Sequence, residues 1–304
     1  MRYFDLHCDT IYECFKKNVG LSGNGLQLDL LKAEALPYIQ CCAAWVPDKM
    51  RGEEAFAHVA NLASVLQEEE KKGSFVRIRN KEDLENARMG VIFTIEGGAA
   101  FGGKLQNIAT AARMGVKMVT LTWNGSNEIG TGIGCENPEY GITDFGIKAL
   151  DCMEKNCIIA DVSHASEKLF YDVCKYSSKP FVASHSNAKR LCAHRRNLTD
   201  DQFEEIKKRG GLVGINFYKA FLNNEPDKAC AEDIFEHADY FMGLGGESCL
   251  AMGSDFDGAE LPSDMTGIED IGTIYEIFLR HNYSEELTDK IFFKNAFNFM
   301  YKFY

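Results

Sequence analysis

The sequence predicts an α/β fold, a (β/α)8 TIM-type barrel with additional C-terminal helices. Short apolar, β-rich runs alternate with amphipathic helical stretches along almost the whole chain. There are eight such runs, the number that closes a parallel sheet on itself. No GxGxxG follows an early run, so the doubly wound open sheet, the main alternative, lacks its phosphate-binding signature. No internal repeat or linker divides the 304 residues, and one barrel domain over 1–304 is the simpler organisation.

In chain order the strand runs are 3–7, 38–46, 91–96, 117–123, 157–163, 181–185, 212–217 and 249–254. Between them apolar residues recur every three or four positions over 53–70, 104–113, 147–155, 167–175, 201–209 and 230–242, the helical period. Ser166 ahead of Glu167, and Thr199 ahead of Gln202, are helix-start signals. Two last helices, near 268–280 and 284–301, carry Phe278, Phe292, Phe293, Phe297 and Phe299, a stripe that reads as packing. Gly97-Gly98 and Gly210-Gly211 read as turns, and residues 20–36, the least regular stretch, as an excursion near the barrel mouth.

Composition narrows the partners. With 45 acidic against 33 basic residues the net charge is −12, which argues against nucleic acid or an anionic membrane surface. The start does not read as a secretory leader, because Arg2 is followed at once by Asp5, His7 and Asp9. The longest apolar run, near 39–46, is too short to span a bilayer. Eleven cysteines, an odd number without a CxxC pair, fit a reduced thiol set and a cytoplasmic location.

In such a barrel chemistry sits at the carboxyl ends of the strands. The first run ends in His7-x-Asp9, two residues apart and hence on one side of the strand. Glu96 closes the third, Trp123 and Asn124 the fourth, His164 the fifth and His185 the sixth. Asn216 and Tyr218 end the seventh, and Asp255 the eighth. The other histidines, His58, His194, His237 and His281, fall in helices or loops and read as surface or capping residues. Three imidazoles and three carboxylates converging on one mouth suit a borderline divalent metal, zinc first. That supply exceeds what one catalytic zinc needs and favours two ions sharing a carboxylate.

The same residues carry a family resemblance. His7-Cys8-Asp9, Glu96-Gly97-Gly98, Leu121-Thr122-Trp123-Asn124, Asp161-Val162-Ser163-His164, Ser184-His185-Ser186-Asn187-Ala188, Arg195-Arg196-Asn197-Leu198 and Gly253-Ser254-Asp255-Phe256-Asp257-Gly258 resemble, in order, the membrane (renal-type) dipeptidases. These are di-zinc enzymes of the amidohydrolase superfamily. The resemblance implies an amidohydrolase-like barrel with two zinc ions per chain. His7 and Asp9 would hold one, His164 and His185 the other, and Glu96 would bridge them. Asp255 would be the acid/base partner of a metal-bridging hydroxide, and Arg196 would hold the substrate's terminal carboxylate. Trp123, Asn124 and Tyr218 complete the expected substrate contacts. The implied substrate is a dipeptide, with those ending in a D-residue inside the range relatives accept, and the resemblance allows a homodimer.

Two positions depart from the family pattern. A histidine commonly follows the Leu-Thr pair, where this chain has Trp123, whose indole offers one donor and no titratable nitrogen. Cys8 replaces an expected asparagine and is read as facing away from the ligands, and Asp257 as a loop-structuring acid. A sister amidohydrolase acting on another amide, lactone or ester is the first alternative. A metal-holding binding protein of weak activity, motivated by Trp123, is the second.

Overall fold

The computed structural model describes residues 1–137 and 140–304. Its strands are β1 (Tyr3–Cys8), β2 (Tyr38–Trp45), β3 (Val76–Arg77), β4 (Met89–Glu96), β5 (Val116–Thr120), β6 (Ile159–Asp161), β7 (Val182–Ala183), β8 (Leu212–Ile215) and β9 (Leu250–Met252). They run in the order β2-β1-β9-β8-β7-β6-β5-β4-β3, and β2 also pairs with β4, which closes eight of them into a parallel barrel. Only β3 lies outside the ring: it pairs with Gly90 and Val91 at the start of β4, below the point where β5 takes over that edge at Phe93. All eight expected runs are barrel strands.

The helical periods also become helices. α2 (Gly52–Lys71), α4 (Leu105–Arg113), α5 (Asp144–Lys155), α6 (Glu167–Tyr176), α7 (Asp200–Lys208) and α9 (Ala231–Gly243) follow strands in turn. Ser166 accepts from the Leu169 amide, and Thr199 exchanges bonds with Gln202 in a capping box, so both start signals work as read. Three short helices escaped the periodicity, α1 (Thr10–Lys17), α3 (Lys81–Asn86) and α8 (Lys219–Leu222). α1 follows β1 with no polar turn between them, and α8 is too short to show a period.

The chain ends with α10 (Ile271–Arg280), α11 (Glu285–Asp289), a π turn (Lys290–Lys294) and α12 (Asn295–Tyr301). Phe293, Ala296, Phe299 and Met300 pack on Phe4, Leu6, Ile39, Ile92, Met118, Ile159, Val182, Leu212 and Ala251, which between them come from all eight barrel strands. Phe293 and Phe299 of the terminal aromatic stripe therefore plug the barrel at the amino ends of its strands, while Phe278 and Phe292 pack in the outer core. None of the described helices is long and apolar enough to cross a membrane.

One irregularity positions the site. Phe4 and Leu6 point into the barrel, and strict alternation would send Cys8 there next. But β1 pairs Asp5 with Gln40 and Cys8 with Cys42, one residue more on β1 than on β2. This β-bulge turns His7 inward and Cys8 outward. Cys8 packs in the outer core with its Sγ 3.6 Å from that of Cys42, facing away from the ligands as read.

Candidate metal centre

His7, Asp9, Glu96, His164, His185 and Asp255 meet at the carboxyl end of the barrel. His7 Nε2 lies 3.7 Å from carboxylate oxygens of Asp9, Glu96 and Asp255 alike. The other oxygen of Glu96 is 3.0 Å from His164 Nε2 and 3.6 Å from His185 Nε2. Glu96 thus stands between two ligand groups, offering one oxygen to each. His7 with Asp9 and Asp255 forms one group of candidate ligands, and His7 with Glu96 and His185 another.

A metal fits this arrangement. Two donors about 2.1 Å from one zinc at a tetrahedral angle lie about 3.4 Å apart, the scale of the spacings here. His7 Nε2, His185 Nε2 and Asp9 Oδ1 are buried and have no hydrogen-bond partner among the described residues, an arrangement that is costly unless a cation satisfies them. The surroundings also leave the correct nitrogens free. His185 Nδ1 meets Ser184 Oγ at 2.8 Å, and that hydroxyl donates to Asp161 Oδ2 at 2.6 Å, so the imidazole must be the donor. His164 Nδ1 faces Asn124 Oδ1 at 3.1 Å. Both rings therefore turn a lone pair on Nε2 toward Glu96.

Two buried aspartates hold the strand ends that carry these ligands. Asp5 accepts from the His7 and Ser254 amides, joining the ends of β1 and β9. Asp161 accepts from the Ser163 and Ser184 amides and from the Thr120 hydroxyl, joining β5, β6 and β7. Gly97, at φ 106°, lets the chain turn away immediately after Glu96. His164 and Asp255 both adopt φ 65°, a left-handed conformation uncommon outside glycine and retained here beside the ligands.

Charge and burial set the protonation states. Burial holds His164 and His185 well below the ordinary imidazole value, so both are neutral. Burial would depress His7 as well, but the charges of Glu96, Asp9 and Asp255 outweigh it and raise its pKa well above normal. Burial raises Glu96 strongly and Asp255 less, with Asp9 adding to both shifts. Asn216 Nδ2 donates to Asp255 Oδ2 at 3.0 Å, while Oδ1 faces His7.

A cavity of about 300 Å³ opens above the centre, lined by Asp9, Glu96, Asp255, Trp123, Asn124, His164, Arg196 and Tyr218 among others. Every residue singled out in the sequence is thus at the mouth or just beneath it. Asn124 lines the cavity, but its carbonyl oxygen is engaged by His164. Arg196 is 6% exposed while its basic neighbours Lys189, Arg190 and Arg195 are exposed, which separates it from a solvated charge run. Among the described residues its Nε has no partner, and its Nη2 makes one long bond, 3.5 Å, to the His185 carbonyl. Burial lowers its pKa to about 10, leaving it a cation, and no carboxylate among the described residues lies in ion-pair range.

Sequence reasoning missed four lining residues, His194, Arg195, Phe221 and Gly258. His194, read as a surface residue, packs at a tilt against Phe221 at the mouth, 4.5 Å between ring centres, and accepts from the Arg196 amide. Phe221 lies beneath the Arg196 guanidinium. Gly258 passes so close to Asp9 and Asp255 that a Cβ there would collide with the Asp9 carboxylate. No local pattern marks His194 or Phe221, whereas the glycine directly after two acids was a usable signal. His237, read with His194, is instead a buried strut between the Ala188 amide and the Leu222 carbonyl. Asp257 accepts from Thr10 and the Gln27 amide, tying residues 20–36 to the mouth, as its loop role required.

Residues 1–303 match the family profile described as membrane dipeptidase (peptidase family M19). The chain belongs to the membrane dipeptidase family. Two solved relatives share its architecture throughout. Dipeptidase AC, a metallopeptidase of family M19, superposes with a TM-score of 0.92 at 26% identity, covering 99% of this chain and 98% of that one. A metallopeptidase from Rhodobacter sphaeroides, bound to a phosphinate mimic of L-Ala-D-Ala, gives 0.92 at 25% identity over 100% and 99%. An uncharacterized Klebsiella pneumoniae protein is 32% identical over 70% of this chain and 83% of its own length. Against the longer fungal dipeptidases of Schizosaccharomyces pombe and Claviceps purpurea, the match spans 45% and 44% of the relative. The fold is that of a metal-dependent amidohydrolase barrel, and membership makes this a metallopeptidase family chain.

Proposed function

We propose that the chain is a zinc-dependent dipeptidase with two metals per chain, held by His7 and Asp9 on one side and His164 and His185 on the other, bridged by Glu96. The observation that carries the reading is Glu96 itself, whose two oxygens face separate histidine groups across 3.0–3.7 Å. Zinc bound there would lower the pKa of a water toward neutrality and polarise the scissile carbonyl. Asp255 Oδ1 accepts the proton of the attacking water and returns it to the leaving amine. Asn216 holds the other Asp255 oxygen, so the proton-transfer oxygen is the one facing the centre. Arg196, with no carboxylate partner among the described residues, takes the substrate's terminal carboxylate through two parallel hydrogen bonds, which fixes register and limits length to two residues. The L-Ala-D-Ala mimic bound by the Rhodobacter relative supports including dipeptides with a C-terminal D-residue. A cytoplasmic setting, expected from the cysteine pattern, belongs to the same proposal.

Metal analysis of the purified protein with a dipeptide panel tests this. The expected result is close to two zinc per chain, with turnover of free dipeptides and loss of turnover when the C-terminal carboxylate is amidated. Asp255→Asn should keep its zinc and lose on the order of 10²- to 10⁴-fold in kcat. Turnover of lactones or cyclic amides with inert dipeptides would reject the reading in favour of a sister amidohydrolase.

A further inference from the structure

His237 is a buried titratable group that the proposed chemistry does not use. It sits on α9, 1% exposed and outside the residues that line the cavity. Its Nδ1 accepts from the Ala188 amide at 3.0 Å, and its Nε2 donates to the Leu222 carbonyl at 2.9 Å. A backbone amide can only donate and a carbonyl only accept, so the ring is neutral with its proton on Nε2. Burial lowers its pKa and favours the same neutral form.

These two bonds end on the two segments that build the wall around Arg196. Ala188 lies at the base of the loop between β7 and α7, which carries Arg196. There the Leu198 amide donates to the Asn187 carbonyl and the Lys189 amide to the Leu198 carbonyl, each at 2.8 Å. Leu222 ends α8, whose Phe221 ring centre is 5.3 Å from the Arg196 guanidinium and 4.7 Å from the Tyr218 ring centre. The segments also hold each other. Asn197 Nδ2 donates to the Cys192 and Phe221 carbonyls, and Asn224 Nδ2 to the Leu191 carbonyl. Those bonds run between loop and helix and leave the pair's place on the barrel open. His237 belongs to neither segment. It ties both to α9, which packs on β8 and β9, the strands that lead to Asn216 and Asp255.

We propose that His237 is a positioning residue for substrate binding, its two ring nitrogens setting where the Arg196–Phe221 wall stands relative to Asp255. This rests on the dipeptidase reading, in which Arg196 holds the terminal carboxylate. Without the ring's polar atoms the Ala188 amide and the Leu222 carbonyl are left without these partners, and each segment shifts to find others. The carboxylate is held equally in the ground state and the transition state. Loosening its hold therefore raises KM and leaves kcat nearly unchanged.

The test is steady-state dipeptide hydrolysis by the zinc-loaded wild type and by His237→Asn, His237→Gln and His237→Leu. Asparagine offers an acceptor near the place of Nδ1 and keeps the Ala188 bond, while glutamine offers a donor near the place of Nε2 and keeps the Leu222 bond. Leucine keeps neither. His237→Leu should raise KM by on the order of ten- to a hundredfold and change kcat by less than about threefold. The Asn and Gln variants should each recover part of that loss, with zinc content equal to the wild type. In an Arg196→Met background, His237→Leu should change kcat/KM by less than about twofold, because the contact it supports is already gone. An unchanged KM, a loss confined to kcat, or an equal loss in the Arg196→Met background overturns the inference, while turnover by the wild type upholds the dipeptidase reading. Should His237→Leu fail to fold, an unchanged KM in both the Asn and Gln variants overturns it. A wild-type protein inert toward every dipeptide overturns that reading and the inference with it.

Discussion

His7 Nε2 is 3.7 Å from each of three carboxylates, and those charges keep its pKa well above the ordinary imidazole value in spite of burial. A group held protonated in this way must lose its proton before it can ligate a cation. Zinc has to expel that proton, whereas His164 and His185, held neutral by burial, have none to release. The sign follows: as pH falls below the raised His7 value, the competition favours the proton and zinc affinity drops. Calorimetric titration of the metal-free protein, in buffers differing in ionisation enthalpy, should show proton release on zinc binding and weaker affinity at lower pH. Uptake without proton release would contradict the environment described for His7.

At the scale of elements, the site depends on how strand ends are finished. The bulge in β1 turns His7 inward, Asp5 and Asp161 join adjacent strand ends through paired amide contacts, and the loop after β9 brings Gly258 against Asp9 and Asp255. Gly258 is where this can be tested with little effect on the fold, because it lies at the open mouth and has an ordinary φ. Gly258→Ala should displace the two carboxylates and cost roughly ten- to a hundredfold in zinc affinity, the scale of losses when the support of a ligand is disturbed. Chelator competition measures it, and the melting temperature of the metal-free protein should change little. Unaltered zinc affinity would show that the loop yields instead.

Across the whole molecule, the two ends of the barrel have separate tasks. Metal ligands occupy the carboxyl end, while the π turn and α12 close the amino end with Phe293, Phe299 and Met300 against residues from every barrel strand. Phe299 is 3% exposed, and Phe299→Ala should cost about 3–5 kcal/mol by leaving a cavity in that plug. Denaturant unfolding measures the loss. KM should stay near the wild-type value, because the plug lies at the opposite end from the substrate cavity; a changed KM with intact stability would refute this division.

What the sequence alone determined is what local periodicity encodes. Short apolar, β-rich runs and helices of period 3.6 placed eight strands and six of the intervening helices, and strand ends marked His7, Asp9, Glu96, His164, His185 and Asp255. Arg196 and its expected partner came from family resemblance, since a buried cation in a basic run cannot be told from a solvated one by spacing. Tertiary structure decided the rest. The β1 bulge depends on the register with β2, and the tautomers of His164 and His185 depend on Asn124 and Ser184. A side lobe of the cavity, next to Asp9 and Gly258, is walled by Tyr12 of α1, Trp45 at the end of β2 and Trp123 after β5. Such features arise from pairings between distant segments, and no one segment's pattern contains them.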